Sequence, residues 1–227
     1  MCEIRQRIKN TRFEIFFANF FRILLALSIV ISFLRKDYLD FFIAVFTLFL
    51  TFLPFIIAKR NHIKLPSSHQ VIILAFIFAA QYLGELNSYY LKYWWWDVML
   101  HTMSGVILGF VGVLLVYILN KEDKVDVYLS PFFVAVFAFT FAVATGALWE
   151  IFEFIMDSVF ALNMQKSGLV DTMWDLIVDS LGAFVAAFYG YLYEKHESSE
   201  TVNKLFSNFL SINKEIFEEE DKIDKSV

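Results

Sequence analysis

The chain has 227 residues, 59% of them apolar and 28 of them Phe, with a net charge of -5. Long apolar runs between charged ends exclude an ordinary soluble core and mark membrane spans, so the net charge says little about partners, and no basic stripe points to nucleic acid. The single cysteine, Cys2, excludes an intrachain disulfide and a cysteine metal cluster, while three prolines and eight glycines suit long helices rather than a barrel.

Arg5, Arg7, Lys9 and Arg12 precede an apolar run over residues 13–34. That run exceeds the roughly 7–15 residues of a signal-peptide core and lacks a small-residue cleavage site, so it is expected to be a retained first span. Asn19 and Arg22 lie inside it, and Arg22 is expected to snorkel or to pair with Glu14. The second span is 38–58, with Pro54 near its end. Lys59, Arg60, His62, Lys64 and His69 follow as a polar loop with solvated histidines. The third span, 70–86, is short and interrupted by Gln81, Gly84 and Glu85. Tyr89, Tyr90, Tyr93, Trp94, Trp95 and Trp96 then form a candidate interfacial belt.

The fourth span, 96–119, carries Asp97, His101 and Gly105 at four-residue spacing, continued by Gly109 and Gly112. Small residues so placed let helix backbones approach closely. A mixed-charge loop, 120–130, leads to the fifth span, 131–157, in which Ala142 and Gly146 line up with Glu150. In the sixth, 172–193, Asp175, Asp179, Gly182, Ala186 and Gly190 share a face. The expected architecture is therefore all-α: residues 1–194 form a six-span transmembrane helix bundle, and 195–227 a cytoplasmic tail. In the tail Leu205, Phe209, Ile212 and Ile216 recur at amphipathic helical spacing.

Lysine and arginine orient the bundle. The N-terminus, the 59–69 loop, the 120–130 loop and the tail carry four, three, two and five; the opposite connections carry two, one and one. The positive-inside rule then places both termini in the cytoplasm, in a multi-pass protein of the inner or plasma membrane. Its expected partner is the lipid bilayer. No internal repeat or broken helix pair marks an inverted-repeat transporter.

This topology gathers acids at the outer ends of three spans. Glu150, Glu153 and Asp157 fall on one helical face, as do Asp171, Asp175 and Asp179. Asp97 and His101 open the fourth span on the same side, and Glu85 closes the third. A carboxylate within hydrocarbon costs several kcal/mol unless paired, hydrated or protonated. His101, Lys92 and Lys166 are too few to neutralise the acids, so either some carboxylates hold protons or a cation binds. One histidine among carboxylates favours Mg²⁺, Mn²⁺ or Ca²⁺ over structural zinc. The candidate metal residues are Asp97, His101, Glu150, Glu153, Asp175 and Asp179. Asp171 and Thr172 are expected to cap the sixth helix, and Asp157 to be solvated.

The segments WWWDVMLHTMSGVILG, ALWEIFEFIMD, MQ and DTMWDLIVDSLGA, in that order, resemble the YjdF-like family of prokaryotic multi-span membrane proteins. The likeness covers residues 84–183 and includes Asp97, His101, Gly105, Glu150, Glu153, Gln165, Asp171, Thr172, Asp175, Gly182 and Ala183, with Asp179 and Glu85 shared by some relatives. It implies an integral membrane protein without specifying a reaction. A looser likeness joins the acid-Gln-Asp-Gly order to VanZ-like proteins of the cell envelope.

Three functions fit these residues. One is a divalent-cation or proton site in a transport or envelope role. Another is a metal-dependent membrane enzyme acting on a lipid or envelope substrate at the outer leaflet, with His101 as general base and no nucleophile elbow around Ser104. In the third the acids only organise an assembly or scaffold protein.

Overall fold

The computed structural model describes residues 2–60, 64–121 and 129–196, with Phe209, Ile212 and Asn213 beyond them. The described residues contain no strand. Helices α1 (Cys2–Arg35), α2 (Tyr38–Leu50), α3 (Leu53–Arg60) and α4 (Ser67–Ile77) lead into a π-helical segment (Phe78–Leu86). Then follow α5 (Tyr89–Lys92), α6 (Trp95–Lys121), α7 (Pro131–Phe160) and α8 (Leu169–His196). Among the described residues six stretches are long and apolar enough to cross a membrane: Ile15–Arg35, Tyr38–Arg60, Ser68–Leu86, Trp95–Val116, Pro131–Phe160 and Leu169–Tyr193. The amphipathic tail helix expected after residue 195 lies outside the described residues, apart from Phe209, Ile212 and Asn213, and so does His62.

The chain forms two compact units, Met1–Tyr93 with Ser207–Val227, and Trp94–Phe206. In the first unit the second span, expected over 38–58 with Pro54 near its end, is built from two helices. Pro54 cannot donate to the carbonyl four residues back, and α2 stops at Leu50 through a turn over Thr51 and Phe52. Arg22 serves this break. Its Nε donates to Thr51 Oγ1 and its Nη2 to the Thr51 carbonyl, each at 3.2 Å, and its guanidinium lies 4.1 Å from the Phe52 ring centre. A charge inside an apolar helix thus satisfies the carbonyl freed by a break in its neighbour.

The third span changes from α to π geometry at Phe78, so that Gln81, Gly84 and Glu85 all lie on the wider helix. Asn213 clamps the start of this region. It accepts from the Lys64 amide at 2.6 Å and donates to the Lys64 carbonyl at 2.8 Å. His69 is not a solvated loop residue: it lies in α4, half-buried, 6.2 Å from the Phe209 ring.

In the second unit α6, α7 and α8 each pack against the other two. Val134, Ala138, Ala142, Gly146 and Glu150 form one buried stripe at four-residue spacing on α7. The same helix exposes Leu148, Phe152, Phe154 and Ile155. Acids inside and large apolar groups outside invert the soluble pattern and suit a helix surrounded by lipid. Glycine sets the closeness of α6 and α8. A Cβ on Gly105 would strike the Asp179 carbonyl, and one on Gly182 would strike the Thr102 carbonyl, so the two backbones touch reciprocally at the level of the acids.

Candidate functional site

The close approach of α6 and α8 fixes the first part of the site. His101 sits one turn before Gly105, and Asp179 lies on α8 facing it. His101 Nδ1 is 3.1 Å from Asp179 Oδ2, and the Ser104 hydroxyl donates to Asp179 Oδ1 at 2.6 Å. Both oxygens of Asp179 are therefore engaged. The pairing holds the imidazole so that Nε2 faces away from Asp179. There Nε2 lies 3.8 Å from Asp97 Oδ1 and 4.0 Å from Asp175 Oδ1. One ligand atom from each of Asp97, His101 and Asp175 lies within 4.8 Å of the other two.

The stripe on α7 brings the third helix in. A Cβ on Gly146 would come within 2.7 Å of Asp179 Oδ2, so α7 also lies against this carboxylate. One turn on, Glu150 is 4% exposed, and among the described residues neither of its carboxylate oxygens has a hydrogen-bond partner. Thr172 stands beside Glu150 without meeting hydrogen-bond geometry to it, and His101, Asp179 and Asp171 are its charged neighbours. Glu153 is buried too, but its Oε1 accepts from Trp149 Nε1 at 2.9 Å. That i, i+4 pair on one helix was legible in the sequence as a spacing, although only the indole orientation makes it a bond.

The loop 161–168 covers this end of the helices. Residues with positive φ, Ala161 at 53° and Gly168 at 63°, bracket it. Asp157 is not simply solvated: Oδ1 accepts from the Met164 amide at 2.7 Å and Oδ2 from the Gln165 amide at 2.9 Å. Asp171 lies inside the first turn of α8 rather than at its cap, and its Oδ2 accepts from the Lys166 amide at 3.1 Å. Thr172 likewise lies within the helix, and its Oγ1 accepts from Gln165 Nε2 at 2.7 Å. The helix begins at Leu169, two residues before the expected cap, because Gly168 supplies the reversal at the loop's end. Held in this way, the loop sets the Lys166 ammonium on Asp97 Oδ2 in a short ion pair.

The structure thus brings Asp97, His101, Glu150, Glu153, Asp175 and Asp179 to one end of α6, α7 and α8, with Gln165, Asp171 and Thr172 in and beside the loop above them. Glu85 belongs to the first unit, on the π-helical segment. Ser104 as an anchor for Asp179, and Asp157 as the loop's clamp, are roles that spacing does not reveal. Both depend on which groups meet across helices or around a turn.

A three-helix unit with buried carboxylates and a histidine between transmembrane helices defines a polytopic α-helical membrane protein with a polar intramembrane centre. The chain belongs to the family described as "Predicted membrane protein (DUF2238)", which matches residues 17–196. A Thermotoga maritima protein described as "Uncharacterized protein" is 28% identical over 165 residues, 72% of this chain and 83% of the relative. No solved structure matches the chain.

Proposed function

We propose that this centre binds a hard divalent cation, Mg²⁺, Mn²⁺ or Ca²⁺, at the outer side of the plasma membrane, in a transport or envelope role. The observation that carries the reading is Glu150. Two buried carboxylate oxygens without a donor among the described residues, on the helix that packs against His101 and Asp179, leave a charge that a bound cation or a proton would offset. Asp97, His101 and Asp175 are the ligands in this reading, Glu150 is a fourth, and Asp179 orients the histidine from behind. Oxygen-rich coordination with one imidazole suits these ions. The cytoplasmic placement of both termini rests on the lysine and arginine distribution. The YjdF-like resemblance of the motif-bearing segment agrees with the family membership and adds no activity.

A second reading is a metal-dependent membrane enzyme acting on a lipid or envelope substrate. The His101–Asp179 pair supports it, because a carboxylate on Nδ1 equips Nε2 to accept a proton. The two readings use the same ion.

The test is metal analysis of the full chain, purified in mild detergent after equilibration with Mn²⁺, Mg²⁺ or Ca²⁺. About one ion per chain is expected, with a higher unfolding temperature by linkage, and both should be lost in Asp175→Asn. No retained ion and no thermal response would leave the acids as organisers of the bundle alone.

A further inference from the structure

We infer that Lys166 determines which divalent cation the centre prefers, by restricting Asp97 to one coordinating oxygen; this rests on the cation reading above. Lys166 Nζ is ion-paired with Asp97 Oδ2, while Asp97 Oδ1 faces His101 Nε2 at 3.8 Å. The two oxygens of one carboxylate therefore have different tasks. The lysine is also built into place. Its own amide is held by Asp171, and the preceding two amides are held by Asp157. Its ammonium is thus delivered by a clamped loop, not by a freely swinging surface side chain.

The neighbouring acids are restricted as well. Asp179 spends one oxygen on His101 and the other on Ser104, and Glu153 commits Oε1 to Trp149. The grouped ligand atoms left for an ion are one oxygen of Asp97, His101 Nε2 and one oxygen of Asp175, with the unpartnered Glu150 on the neighbouring helix as the further acid this reading recruits. Ca²⁺ takes roughly 6–8 oxygen ligands at about 2.3–2.6 Å and often uses both oxygens of a carboxylate. Mg²⁺ and Mn²⁺ accept fewer protein ligands in a tighter octahedral shell completed by water. A centre whose Asp97 can offer only one oxygen favours the smaller ions. Releasing the second oxygen supplies the ligand that Ca²⁺ lacks.

Two effects of removing Lys166 are separable. Loss of a positive charge beside the site strengthens the binding of every divalent cation by a similar factor. Release of Asp97 Oδ2 strengthens Ca²⁺ selectively. The ratio between two ions therefore reports the second effect alone.

The experiment measures Mn²⁺ and Ca²⁺ midpoints from thermal unfolding of the full chain in detergent, for wild type, Lys166→Met, Lys166→Arg and Asp175→Asn. Wild type is expected to prefer Mn²⁺. In Lys166→Met the Ca²⁺ midpoint should fall about tenfold more than the Mn²⁺ midpoint, the scale of one gained ligand contact. Lys166→Arg keeps a cation on Oδ2 and should keep the wild-type ratio. If Lys166→Met does not fold, Lys166→Gln is measured the same way. An unchanged ratio in the neutral variant, with a wild-type response that Asp175→Asn abolishes, overturns the role of Lys166 and leaves the cation site standing. A wild type indifferent to both ions, or an Asp175→Asn variant that responds normally, overturns both.

Discussion

Asp179 Oδ2 lies 3.1 Å from His101 Nδ1, at the level where α6 and α8 come into backbone contact around Gly105 and Gly182. The bond sets which imidazole nitrogen faces Asp97 and Asp175. Asp179→Asn retains the shape but can present its amide to Nδ1, which favours the opposite tautomer and turns Nε2 into a donor. Apparent cation affinity is expected to fall about 10–100-fold, the usual effect of losing an orienting carboxylate behind a ligating histidine. Titration of the unfolding temperature against Mn²⁺ measures it, and an unchanged midpoint would remove Asp179 from the site.

Glu150 makes a prediction of opposite signs. Its oxygens are buried without a donor among the described residues, so in chelator Glu150→Gln removes an uncompensated charge and should raise stability by on the order of 1 kcal/mol. With saturating Mn²⁺ the variant should gain less than wild type, because one ligand is gone. Calorimetry of both proteins, with chelator and with ion, tests the crossing. A variant that loses stability in both conditions would make Glu150 a structural residue only.

Metal ligands must be deprotonated to bind, so protons compete with the ion. The increase in unfolding temperature caused by Mn²⁺ is expected to shrink as pH is lowered from about 8 to about 5, and to be restored by more Mn²⁺. An increment independent of pH would place the ion away from the carboxylates and His101.

The approach of α6 to α8 leaves no room for a side chain at Gly182, where a Cβ would strike the Thr102 carbonyl. Gly182→Leu must therefore separate two backbones rather than displace a flexible group. The expected cost is about 3 kcal/mol or more, at the upper end for overpacking. The cation response should disappear with it, because His101 and Asp179 move apart. A folded Gly182→Leu protein with normal Mn²⁺ binding would contradict the shared geometry.

The orientation across the membrane is tested in a Cys2→Ser background. A cysteine introduced at Ser167, in the loop over the site, should react with an impermeant maleimide added to intact cells. One introduced at Ser199 should react only after lysis. Labelling of the Ser199 position from outside would invert the topology and move the centre to the cytoplasmic side.

Sequence alone determined the helical class, the six spans and the end of the helices at which the acids gather. These depend on properties local to the chain: about twenty apolar residues cross a bilayer, and a period near 3.6 fixes which residues share a face. The small residues before Glu150 and around Asp179 likewise announced close packing. Only the tertiary structure decided what each acid does. Asp157 and Asp171 both read as helix-end carboxylates, yet one holds two loop amides and the other holds the amide of Lys166. Glu150 and Glu153 are three residues apart on one face, yet Trp149 satisfies one and nothing in the described residues satisfies the other. Pro54 marked the second span for a break, but that Arg22 from another helix answers it at Thr51 was equally invisible. A hydrogen bond requires atoms within about 3 Å and in line. That condition is met or missed by how three helices and one loop pack, and no spacing along the chain specifies it.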